Sequence, residues 1–70
     1  MGGAMIIDPF RLYRRHRRLV REAEEEAQFL RRRHGPSALQ AARSRLDRPD
    51  LTHWGKRVMQ RAIRLLEKGA

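Results

Sequence analysis

The chain has 70 residues, no cysteine, and 17 Lys and Arg against 8 Asp and Glu, a formal charge of +9. A domain this short has a thin core and modest stability, and without cysteine neither a disulfide framework nor a thiolate zinc site can reinforce it. No apolar run approaches the ~18–20 residues needed to span a bilayer, and the opening MGGAMIIDPF is neither a secretory signal nor, with Ile6 where Ser or Thr is wanted, a myristoylation site, so we expect a cytoplasmic protein.

The first helix is expected over residues 9–34. Asp8 is a good N-cap, Pro9 suits the first helical position, and Ile7 can staple against Leu12. At the other end Arg31, Arg32, Arg33 and His34 complement the helix dipole, Gly35 can take a left-handed cap, and Pro36 blocks continuation. At ~100° per residue, Leu12, Tyr13, His16, Leu19, Val20, Ala23, Ala27, Leu30 and His34 share an arc of about 120°, the face expected to be buried. The charged residues take the rest of the circumference, with Arg18/Glu22 and Arg21/Glu25 at i, i+4 spacing. Residues 9–21 hold six Arg and no acid, whereas residues 22–30 hold four Glu and no base. Arginines in the first half of a helix oppose its dipole, a placement that suggests a use beyond stability.

A second, short helix is expected over 38–48. Ser37 and Gln40 have capping-box spacing, Leu39, Ala42 and Leu46 lie on one side, and Pro49 stops the helix. Asp50 then caps a third, strongly amphipathic helix over 51–68. Its apolar residues Leu51, Trp54, Val58, Met59, Ala62, Ile63, Leu65 and Leu66 fill about half the wheel. Lys56, Arg57, Gln60, Arg61, Arg64, Glu67 and Lys68 fill much of the other half. Gly55 lies inside the apolar arc, where a glycine costs about 1 kcal/mol of helix propensity, and close approach of Ala23 or Ala27 would explain it. Trp54 reads as a core anchor with its indole N–H at the rim, or as an exposed partner contact. No stretch alternates like a strand, so the expected fold is all-α, a small three-helix bundle with a long first helix, a short second helix and an amphipathic third, in one domain.

Over roughly residues 33–69 the chain carries an RHG turn (Arg33, His34, Gly35), an alanine-rich helix including Ala41, and a final helix resembling W-x-x-V-x-x-x-I-x-x-L through Trp54, Val58, Ala62 and Leu65, with Ile63 one position off that spacing. In these features it resembles short proteobacterial three-helix proteins. The resemblance covers about half the chain, rests on capping and core residues, and implies a fold without an activity.

Catalytic chemistry has little to stand on. There is no Gly-rich phosphate loop, no HExxH, and no Ser, His and Asp set, and Glu22, Glu24, Glu25 and Glu26 share an exposed helical stretch without an enclosing pocket. His16 and His34 are five turns apart, and His53 belongs to another helix, so no metal site or cofactor is expected. The preferred reading is a small non-enzymatic adaptor or regulator that docks on a larger, acidic protein through Arg11, Arg14, Arg15, Arg18, Phe10 and Phe29, as a monomer or as a homodimer. The two phenylalanines would anchor it if exposed, or would pack against the N-terminal MII and the second helix. The alternative is a DNA- or RNA-binding protein presenting Lys56, Arg57, Gln60, Arg61 and Arg64 from the third helix, supported by the arginine-rich first helix. Membrane-surface binding through the first helix is a weaker third reading, because its glutamates interrupt the basic face.

Overall fold

The computed structural model describes residues 9–69, and the protein is all-α, with three α-helices, one 3-10 turn and no strand among the described residues. The helices are α1 (Pro9–His34), α2 (Ala38–Leu46) and α3 (His53–Lys68). The expected Asp8 cap and Ile7 staple lie outside the described residues.

Helix α1 ends as its punctuation demands. Gly35 adopts φ 54, a left-handed conformation that a side chain would strain, and Pro36 cannot continue the hydrogen-bond ladder. The Ser37 capping box does not form. Gly35–Ser37 make a 3-10 turn, the Ala38 N–H donates to the Gly35 carbonyl, and the Ser37 side chain makes no capping bond. The turn thus satisfies the first of the exposed N–H groups at the start of α2, that of Ala38, through the backbone and not through a side-chain cap.

Helix α2 stops at Leu46, two residues before the expected limit, because Pro49 disfavours helical geometry at Arg48. Asp47 and Arg48 N–H groups instead donate to Ser44 and Arg45 carbonyls at 3.3 and 3.2 Å. Helix α3 begins at His53 rather than Leu51, and its N-cap is Thr52, not Asp50. The Thr52 Oγ1 accepts the Gly55 N–H at 2.9 Å. Asp50 is instead paired with Arg48, whose Nε and Nη2 donate to its two carboxylate oxygens, each at 3.2 Å. The role of Gly55 is corrected in the same way. A Cβ there would sit 3.0 Å from Leu51 Cδ1 and 3.1 Å from Thr52 Oγ1, so the glycine makes room for its own helix cap and not for Ala23 or Ala27.

Cross-helix contacts set the directions. Trp54 bonds Glu22 near the start of α3 and Arg31 bonds Leu65 near its end, so α1 and α3 run the same way. Helix α2 returns between these ends, with Arg45 on Glu26 and Arg43 on Glu67. The shared core is Leu19, Ala23, Ala27, Leu30, Ala38, Ala42, Val58, Met59, Ala62 and Leu66. Half of these are alanine, which lets the helices approach closely but buries little apolar area, and Leu30 is the one large side chain closed off almost completely.

Helix α1 has 26 residues and α3 has 16. At ~1.5 Å per residue, α1 is therefore longer by ~15 Å. Burial on α1 begins at Leu19. The expected buried face fails before that point, with Leu12 53% and Tyr13 59% exposed, and His16 exposed with them. His34 is exposed at the other end. The radius of gyration is 15.1 Å with extents of 54 × 25 × 15 Å, against ~11 Å for a compact chain of this length.

Candidate functional site

Two consequences of this geometry define the surface: an uncovered arm at the start of α1, and a polar knot where α3 first meets it. The knot is built on Trp54, half-buried and packed against the core. Its Nε1–H donates to Glu22 Oε1 at 2.9 Å, and Arg18 Nε donates to Glu22 Oε2 at 2.8 Å. The Arg15 and Arg18 guanidiniums lie 5.8 and 5.6 Å from the indole centroid, within cation–π range. The Trp54 hydrogen bond, with Arg18 next, holds the Glu22 carboxyl below the usual carboxylate range. Arg14, Arg15, Arg18 and Trp54 line an open hollow of ≈ 370 Å³ beside the knot. Trp54 is thus the rim-bonded core anchor of the first expectation.

Beyond the knot lies the arm. Phe10 is 71% exposed, Leu12 and Tyr13 are more than half exposed, and Arg11, Arg14 and Arg15 are exposed around them. Arg17 lies over the Tyr13 ring at 5.8 Å. On the helical wheel Leu12 and His16 extend the line of Leu19, Ala23 and Leu30, so an apolar stripe that is core lower down is open here.

The residues expected to bind a partner divide into two groups. Phe10, Arg11, Arg14, Arg15 and Arg18 share the arm. Phe29 does not join them: nineteen positions along the same helix place it ~28 Å away. It is 42% exposed, in a cleft with Arg33, Ala41, Ser44 and Arg45 between α1 and α2. The expected packing of Phe10 on the N-terminal MII segment lies outside the described residues.

The nucleic-acid set lies along the outer side of α3. Lys56, Arg57, Gln60 and Arg64 are exposed and Arg61 is half-buried, and among the described residues none of the four cations forms an ion pair. Four other arginines differ. Arg31, Arg43, Arg45 and Arg48 are taken up by Leu65 carbonyl, Glu67, Glu26 and Asp50. These cross-helix and loop contacts had no signal in the sequence, because i, i+4 spacing predicts partners only within a helix. Of the pairs it did predict, Arg18/Glu22 forms, whereas no Arg21–Glu25 ion pair forms among the described residues. The glutamates are also less uniform than expected: Glu22 and Glu26 are half-buried, Glu24 and Glu25 exposed.

Among the described residues no three His, Cys, Asp or Glu side chains cluster as a metal site, and no helix is long and apolar enough to cross a membrane. The chain matches no protein-family model, no curated protein and no solved structure. The functional reading therefore rests on surface chemistry.

Proposed function

We propose that this is a small non-enzymatic docking protein, a three-helix bundle whose basic α1 arm seats on an acidic, amphipathic helix of a larger cytoplasmic protein. The observation that carries this reading is the exposure of Leu12 and Tyr13, 53% and 59%, on a stripe that becomes core only at Leu19. An exposed apolar stripe rimmed by charge is the signature of a helix awaiting a helix. Six arginines without an acid over residues 9–21 select an acidic partner and would speed its encounter. They also disfavour pairing of two arms, since each chain carries +9.

The test is direct binding of a glutamate-rich peptide with leucines at i, i+3, i+4 and i+7, compared with a 20-base-pair DNA duplex. The expected outcome is peptide binding weakened at least ~10-fold by Leu12→Ala with Tyr13→Ala, about 1.4 kcal/mol. DNA should bind at ~150 mM salt no better than the non-specific ~10⁻⁴–10⁻⁶ M range.

The second reading, nucleic-acid binding, is favoured by one observation, the cations Lys56, Arg57, Arg61 and Arg64 on the outer side of α3, which form no ion pair among the described residues. It predicts tight, steeply salt-dependent DNA binding that Arg57→Gln, Arg61→Gln and Arg64→Gln abolish and Leu12→Ala leaves intact. That outcome would replace the docking reading.

A further inference from the structure

Taking the docking reading as its basis, we infer that the hollow lined by Arg14, Arg15, Arg18 and Trp54 is a recognition site for a phosphate monoester, carried on a phosphorylated side chain of the protein partner. Three guanidinium groups border it, and the carboxylate joined to them is Glu22, which is bonded to Arg18 and Trp54. Three positive charges against one negative leave an excess of two. A single Asp or Glu of a partner would neutralise half of that excess, whereas a phosphate monoester carries about −1.5 to −2 at neutral pH. Guanidinium is also the cation whose planar fork matches phosphate oxygens two at a time.

The second support is that the arginines are held ready. Long cationic side chains normally lose much rotamer freedom on binding. Here Arg18 is fixed by a 2.8 Å bond to Glu22 and by the indole ring, and Arg15 rests on the same ring. The indole thus assembles two like charges at the edge of one cavity, an arrangement that bulk solvation alone would disperse. Among the described residues Arg14 makes no ion pair or cation–π contact, and it completes the rim. Glu22 is a positioning residue: by accepting from Trp54 and Arg18 together it ties the ring to the guanidinium. The outer face of α3 has four cations but, among the described residues, none of them lies over an aromatic ring, so it is the proper control surface.

Trp54 is the single tryptophan of the chain, so its fluorescence reads the site directly. The protein would be titrated with the acidic helical peptide described above, bearing phosphoserine, serine or aspartate at one central position. The phosphoserine peptide should bind at least ~10-fold more tightly than the aspartate peptide at pH 7.5, and this preference should shrink towards pH 5 as the phosphate, with its second pKa near ~6, takes up a proton. Arg14→Gln and Arg15→Gln should each remove most of the preference, and Arg57→Gln should leave it. Glu22→Gln should broaden the Trp54 emission, because the tie between the ring and the Arg18 guanidinium is loosened. Equal affinity for phosphoserine and aspartate peptides would overturn the inference, as would equal losses from Arg14→Gln and Arg57→Gln. Adenosine monophosphate binding as tightly as the phosphopeptide would overturn the protein source. In any of these cases, unphosphorylated peptide binding that still depends on Leu12 and Tyr13 would leave the docking reading standing.

Discussion

The two halves of α1 share one continuous helix and one apolar stripe, yet Leu30 is 1% exposed and Leu12 is 53% exposed. Both occupy nearly the same angle on the wheel, eighteen residues and five turns apart. What separates them is the cover supplied by other elements. Helix α3 has ten fewer residues than α1, and its first anchor, Trp54, meets α1 at Glu22. Amphipathicity therefore states which side of a helix is able to be buried, and the lengths of its neighbours state how much of that side is.

The largest test of this contrast is a pair of leucine truncations. Leu30→Ala should destabilise the fold by about 2–5 kcal/mol through lost burial and a residual cavity, whereas Leu12→Ala should change stability by no more than about 0.5 kcal/mol. Urea denaturation followed by Trp54 emission measures both, and similar losses would show that the arm is part of the core. Next in size is overpacking. Ala62 is fully buried at the centre of the alanine-lined interface, so Ala62→Leu should cost about 1–3 kcal/mol, while Arg14→Leu on the open arm should be close to neutral in the same assay.

A smaller effect sharpens where α3 begins, and with it how far α1 is covered. Thr52→Ala should cost about 1 kcal/mol by leaving the Gly55 N–H uncapped, and Asp50→Ala less than about 0.5 kcal/mol. The reverse order would move the cap back to Asp50.

The smallest effect concerns the boundary between the two halves. Because the folded state depresses the Glu22 pKa, its contribution is present above the unfolded pKa and is lost as pH falls through the lower, folded value. Acid titration should therefore show a Trp54 emission change with a midpoint lowered from the ordinary glutamate value and absent in Glu22→Gln. A midpoint at or above the ordinary value would break the assigned Trp54–Glu22–Arg18 link.

Much of the fold was legible in the residues. The limits of α1, the left-handed Gly35 and the core positions from Leu19 onward follow from local rules, because caps, proline and helical period act within a few residues. The misreadings also have physical causes. Asp50 and Ser37 are good capping residues by type, but Arg48 occupies one and a 3-10 turn replaces the other. At the candidate site, the arginines of the arm and the pairing of Arg18 with Glu22 were readable from spacing. The knot with Trp54 was not, since no pattern tells which of nine exposed arginines on a helix will meet an indole thirty-two positions from Glu22.

The sequence by itself determined an all-α chain, its helical punctuation and the stripe that each helix offers for burial, since these arise from backbone sterics and side-chain periodicity. Only the tertiary structure decided where that stripe is covered, which guanidiniums are tied to carboxylates, and which gather around Trp54. Those outcomes depend on the relative lengths and register of packed helices, and contacts across helices carry no local signature in the chain.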